Sequence, residues 1–195
     1  IKLYPEIEIT KIIWCPHGFT QDYLLQYNQK ANNQILLSGA TGLLYPIRKL
    51  MLKLSLGSYK NKIYYSKHPG YKTFDYNINN QKVGKNYAKL LNKYKCCFTD
   101  CLTYGFIVSK YFEIPSTGSL LLAVNPSEDK LEKLGFIDMV NYVECNKDNL
   151  EDKINWILDE NNNKQIDKIR KNGMDLVRSL HSIENRIKSI VEEIN

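Results

Sequence analysis

The 195 residues are 43% hydrophobic and 25% charged, enough apolar material for one sizeable core that needs no disulfide or metal staples. The 27 basic and 21 acidic side chains leave a formal charge of +6, a mild excess that suits an enzyme for anionic substrates as well as a nucleic-acid binder. The cysteines at 15, 96, 97, 101 and 145 are odd in number, contain no CxxC, and have no His or Cys pair to complete a zinc set, which speaks against a disulfide framework and against a metal. Free thiols in a reducing, cytoplasmic compartment are expected. No segment approaches the roughly 20 apolar residues of a membrane span, and no signal peptide is visible. The chain starts on Ile1 rather than Met, as a piece of a longer protein would.

Lys11 to Trp14 is an apolar run closed by Cys15-Pro16-His17-Gly18, which predicts a strand and a turn. Asp22 to Tyr27 suits one helical turn. Gln34 to Ser38 is apolar without alternation and predicts a buried parallel strand. Gly39-Ala-Thr-Gly42 follows, in the strand, small-residue loop and helix order by which α/β folds present backbone N–H groups to phosphate. Pro46 fits the first turn of a helix over Ile47 to Leu56, with Ile47, Leu50, Met51 and Leu54 at helical spacing. Ile63 to Ser66 predicts a second strand, stopped by His68-Pro69-Gly70, and Tyr71 to Asn80 a loop. Val83 to Lys93 predicts a helix and Lys95 to Thr99 a third strand. A helix over Phe106 to Ile114 is expected to end at Pro115 and Gly118. Leu120 to Val124 is the fourth strand. A short helix over Asp129 to Leu134 is capped by Gly135, and Asn141 to Cys145 is a fifth strand. Asp148 to Glu160 is amphipathic, and a long last helix runs from about Asn163 to Glu193 with a break near Gly173 or His181. The alternation predicts an α/β, Rossmann-like domain, with a mostly parallel sheet and helices on both faces. Lys82 to Lys95, the densest basic stretch, is interrupted by apolar residues and reads as a solvated helix face, so no nucleic-acid partner is expected.

Ligands of open α/β sheets bind beyond the carboxyl ends of the strands. Three segments there carry suitable chemistry. Gly39 and Gly42 allow close approach to the backbone, and Arg48 can pair with a phosphate; the competing reading is a tight turn beside a surface charge. His68 can donate to phosphate or a sugar hydroxyl, or be a satisfied structural histidine. Glu113, before Pro115-Ser116-Thr117-Gly118, can accept two hydrogen bonds from vicinal hydroxyls such as a ribose offers.

The segment from Lys110 to Ala123, KYFEIPSTGSLLLA, resembles the K-x-F-E-x-x-x-x-G signature of GT-B glycosyltransferases, most of all the CgeB-like branch of group 1 transferases. Cys15 to Phe19 is similar to the P-H-G hinge that enters their C-terminal domain. Tyr45-Pro46-Ile47-Arg48 is similar to their Y-P-x-R segment, and Asp175 to Arg186 to their closing helix. The resemblance implies a metal-independent transferase with no cofactor, in which this chain is one nucleotide-sugar-binding domain. Residues 1–20 would be the hinge from an N-terminal domain that binds the acceptor glycan, protein or small molecule. Glu113 would hold the ribose hydroxyls of a UDP- or GDP-linked donor. Ser116, Thr117, Gly118 and Ser119 would lie near the diphosphate or the sugar. Arg48 would neutralise the leaving diphosphate, helped by Lys49 or Lys53. One departure stands out: Gly105 occupies the place, eight residues before Glu113, where many such enzymes carry a second Glu. It favours the alternative, a non-catalytic α/β nucleotide- or partner-binding module that has lost transferase activity. A response-regulator-like domain would want an acidic cluster after the first strand, where Ser38 to Thr41 offers none.

Overall fold

A computed structural model of the chain describes residues 13–70, 82–126 and 129–194. Its centre is a five-stranded, wholly parallel sheet in the order β2-β1-β3-β4-β5, made of β1 (Asn32–Gly39), β2 (Ile63–Lys67), β3 (Tyr94–Thr99), β4 (Leu120–Val124) and β5 (Val143–Cys145). Around it lie α1 (Pro46–Leu56), α2 (Gly84–Asn92), α3 (Lys110–Ser116), α4 (Leu150–Leu158), α5 (Asn163–Leu180) and α6 (Ile183–Ile194). The fold is the expected α/β, Rossmann-like one.

Strands β1, β3 and β4 are buried on both faces over most of their length, which is why they read as unbroken apolar runs rather than alternating ones. Leu36, Cys97 and Leu121 face α2 and α3 through Leu91, Phe112 and Ile114. Ile35, Leu37, Phe98 and Leu122 face the opposite layer with Met51 of α1 and Ile154 and Ile157 of α4. Helix α5 joins the two layers, with Ile166 and Ile169 in one and Val177 in the other. Registers Ser38↔Ser66, Leu37↔Phe98, Thr99↔Ala123 and Val124↔Cys145 bring the strand ends to one edge, called the carboxyl edge below.

Several expected elements differ. Ile13 and Trp14 form no strand; Lys11 and Ile12, like the loop expected over 71–80, lie outside the described residues. Helix α3 starts at Lys110 rather than Phe106, because the left-handed backbone of Leu102 (φ 59°) and Gly105 (φ 66°) shapes the preceding segment as turns. Pro115 does not end it but sits in its last turn, which closes through Thr117 N–H to Ile114 O and Gly118 N–H to Pro115 O. The long last helix breaks at His181. Gly173 instead lets α5 pass close to Asn141, whose carbonyl a Cβ there would strike.

His181 anchors the break. Its Nε2–H donates to Leu134 O at 2.8 Å, the ring stacks on Phe136 at 5.9 Å, and Arg186 donates to Nδ1. Phe19 brackets the same turn, donating to His181 O and accepting from Ile183 N–H, and Arg186 Nε donates to His17 O. The hinge-like Pro16-His17-Gly18 is thus held against the α5–α6 junction. The imidazole must be neutral, since a second ring proton would face a guanidinium. Burial first, and Arg186 after it, push its pKa down to about 4, against the pull of the Leu134 bond. The unfolded chain therefore binds this proton more readily, so the contribution of His181 is fully present above its ordinary pKa and is lost as pH falls towards 4. At about 1.4 kcal/mol per unit, the loss approaches about 3 kcal/mol at the acid end. Urea midpoints of wild type and His181→Gln, compared from pH 7.5 to 4.5, should converge on acidification; a constant gap contradicts the assignment.

Candidate functional site

The carboxyl ends of β1, β2 and β3 carry a knot of charge. Arg48, in the first turn of α1, is 3% exposed and Asp100, just past β3, is 2% exposed. Their Nη2 and Oδ1 atoms lie 3.0 Å apart, and the Arg48 backbone N–H donates to Asp100 Oδ2 at 3.0 Å. The carboxylate thus serves a first-turn N–H of α1 that no intrahelical carbonyl can reach. The guanidinium also donates to Ala40 O at 3.1 Å and Thr99 Oγ1 at 3.2 Å and lies 3.9 Å from the centre of the Tyr45 ring. Its Nε has no partner among the described residues. Burial raises the Asp100 pKa, and Arg48 opposes that most strongly.

Lys110 opens α3, and its Nζ reaches the end of β1, 2.6 Å from Ser38 O and 3.4 Å from Ser38 Oγ. The Ser38 hydroxyl pairs with Tyr87 OH at 2.7 Å. Gly39 has φ 108°, and a Cβ on it would strike the Lys110 ammonium, so the glycine leaves the lysine its place. His68 follows β2, its Nδ1 accepting the Gly70 N–H at 2.9 Å. Burial, then Lys110 and Arg48, lower its pKa, so it is neutral at pH 7. A cavity of about 270 Å³ lies among Ser38, Gly39, His68, Lys82, Tyr87 and Lys110. A second, of about 160 Å³, is walled by Tyr45, Arg48, Ser109 and again His68 and Lys110.

Of the residues expected at a site, the fold gathers Arg48, His68 and Gly39 here. Glu113 sits one turn behind Lys110, its carboxylate facing the hydroxyls of Tyr23 and Ser109. Burial raises its pKa, while Lys110 and those hydroxyls hold it down. Gly42 stands in the loop with open space around its Cα.

Four expected ligand residues are corrected. Ser116, Thr117, Gly118 and Ser119 lie at the far, amino edge, because α3 runs antiparallel to the strands and ends there. Ser116, Thr117 and Ser119 are at most 1% exposed, and their hydroxyls serve the carbonyls of Glu113, Ile114, Leu91 and Tyr94. Gly118 (φ 80°) turns the chain into β4 against Tyr27. Lys53 is corrected too: it lies exposed in the last turn of α1, about two turns from Pro46 and away from the cleft.

Lys110, the first residue of the signature segment, carries no role in the sequence reading, and Asp100, Tyr87 and Tyr23 are not named there as site residues. Lys110 had a readable signal, since the N-terminus of a helix following a strand opens at the carboxyl edge. Its pKa is lowered to about 7, by burial first and by Arg48 next, with Glu113 pulling the other way. Part of its surface remains open. Among the described residues, no helix is long and apolar enough to cross a membrane.

No protein-family model and no curated protein matches the chain. Solved structures do. Sucrose-phosphate synthase from Thermosynechococcus elongatus is similar with a TM-score of 0.63 at 13% identity, over 92% of this chain and 51% of that one. HepE of Anabaena, solved in complex with UDP, is similar with a TM-score of 0.52 at 12% identity, over 76% of this chain and 36% of that one. The chain therefore spans about half the length, or less, of these structures, and shares their fold.

Proposed function

We propose that the chain is the donor-binding part of a GT-B glycosyltransferase, and that it takes a nucleoside-diphosphate sugar, UDP- or GDP-linked, at the carboxyl ends of β1 and β2. The observation that carries this reading is the convergence of Arg48, Lys110 and His68 on two adjoining cavities beside Gly39. Two cations and a donor-capable imidazole around a glycine suit a diphosphate, whose oxygens accept hydrogen bonds from every side. The fold held in common with a UDP-complexed protein supports it.

In the transferase reaction the sugar–phosphate bond breaks and the departing diphosphate gains negative charge. Fixed cations there stabilise the transition state more than the ground state. Arg48 is fixed by Asp100, Thr99 and Ala40, so it meets that charge without reorganising. Glu113 would take the ribose hydroxyls by turning from Tyr23 and Ser109. The acceptor, and the base that activates it, would come from a further domain. Gly105 favours a second reading, a module that binds the nucleotide without transferring sugar.

Calorimetric titration against a panel of nucleotides tests both. Saturable binding of UDP or GDP is the expected result, with transfer by this chain alone absent or feeble. Silence towards every nucleoside diphosphate would sink the donor reading, and brisk transfer by the isolated chain would refute its division of labour.

A further inference from the structure

Lys110 is a cation of the cleft whose present partners are replaceable. Arg48 is committed to a buried carboxylate, a hydroxyl and a carbonyl. Among the described residues, Lys110 Nζ donates to the Ser38 carbonyl and its hydroxyl, and lies 5.8 Å from the centre of the Tyr87 ring. Both cavities open onto it. A neutral amine still donates to Ser38, though less strongly than an ammonium. Among the described residues, no carboxylate pairs directly with the ammonium: Glu113 faces the hydroxyls of Tyr23 and Ser109, and Asp100 is taken by Arg48.

We propose that Lys110 gives up the Ser38 carbonyl for a phosphate of the bound ligand, and that this exchange draws one proton from solvent onto Nζ. The proposal rests on the reading of the cleft as a diphosphate site. The groups facing Nζ make the balance explicit. Arg48 from α1 opposes its charge, and His68 beyond β2 stands beside it as a neutral ring. Glu113 from α3 and Asp100 just past β3 favour it, the buried Cys97 thiol of β3 is uncharged, and Tyr87 of α2 lies beneath it. Burial dominates, so the free cleft holds Lys110 poised around neutrality. A phosphate dianion within reach adds the missing counter-charge and favours the ammonium. The proton comes from the buffer, and the phosphate, already ionised above pH 7, keeps its charge.

By linkage, a group protonated more in the complex than in the free protein makes binding weaken as pH rises. Over pH 7.0 to 8.5 the affinity for UDP should fall roughly tenfold, since full protonation on binding approaches one decade per unit. Titrations of UDP into wild type in buffers of different ionisation heat should report proton uptake. Lys110→Arg, charged throughout, should bind with no uptake and a flat pH profile. Lys110→Met should bind more weakly, also without uptake. His68→Gln should keep the uptake, which separates the lysine from the nearby imidazole. If wild type binds UDP with no proton uptake and pH-independent affinity, the exchange at Lys110 is wrong while the donor reading stands. Uptake that disappears in His68→Gln but persists in Lys110→Arg assigns the proton elsewhere and equally overturns it. Absence of binding to any nucleoside diphosphate removes both this proposal and the reading beneath it. The wild-type measurement decides even if a variant fails to fold.

Discussion

Arg48→Met should destabilise the protein by about 3–5 kcal/mol, the usual consequence of removing one partner of a fully buried ion pair. The reason lies in what is left behind. Asp100 is 2% exposed, and without the guanidinium its carboxylate keeps the Arg48 backbone N–H but loses its counter-charge. It must then take up a proton or stay buried as an anion, and both states cost free energy. The Ala40 carbonyl and Thr99 hydroxyl lose their donors as well. Arg48→Lys should recover only a fraction, because one ammonium cannot span three acceptors that a planar fork reaches together. Replacing both partners, Arg48→Met with Asp100→Leu, should restore much of the loss, so the pair will show clear coupling in a double-mutant cycle. That double variant also separates stability from ligand binding: it should fold and yet bind UDP poorly, for it lacks the fixed cation of the cleft. Urea unfolding of the four proteins makes the comparison. A single-variant loss under about 1 kcal/mol would mean that Asp100 is solvated after all.

The contrast between the two edges of the sheet explains how much was readable beforehand. Strands β1, β3 and β4 are legible because a strand buried on both faces admits almost nothing but apolar residues, and the run survives in the sequence. The expected placement of Arg48 follows from Pro46, which fixes the first helical turn just beyond β1. Ser116 to Ser119 were misread for a specific reason. A Ser-Thr-Gly-Ser turn has the same composition whether its hydroxyls face a ligand or cap their own backbone. What decides is direction, since a helix after a parallel strand starts at the carboxyl edge and ends at the other. That rule alone moves attention from Ser116 back to Ser109 and Lys110. Asp100 was not legible at all. A single acid after a strand is ordinary, and its partner lies 52 residues away. Nor does the sequence say that Glu113 is turned to Tyr23, which rests on the packing of a short 3₁₀ turn, Gln21–Tyr23, beside α2 and α3.

The same contrast makes the amino edge testable by itself. Arg170, in the middle of α5 and 2% exposed, donates to Gly118 O at 2.9 Å and Asn28 O at 2.8 Å, and pairs with Asp167 at 2.9 Å. Its guanidinium also lies 4.5 Å from the centre of the Tyr27 ring. About two turns later on α5, Arg178 donates to Ser116 O at 2.7 Å. Two arginines of one helix thus hold the turn that joins α3 to β4. Arg170→Met keeps the apolar stem and removes the donors, leaving two buried carbonyls unmatched at about 1–3 kcal/mol each. The half-exposed Asp167 pair adds little, so a total near 3–5 kcal/mol is expected. Because this turn lies a full strand length from Lys110 and Arg48, the folded fraction of Arg170→Met should bind UDP as tightly as wild type. Arg48→Met, by contrast, should lose stability and affinity together. Equal stability losses with opposite effects on binding would locate the ligand at the carboxyl edge. A loss of UDP affinity in Arg170→Met, at a temperature where the variant is folded, would return the Ser116–Ser119 turn to the ligand site and contradict the cleft assigned to Lys110.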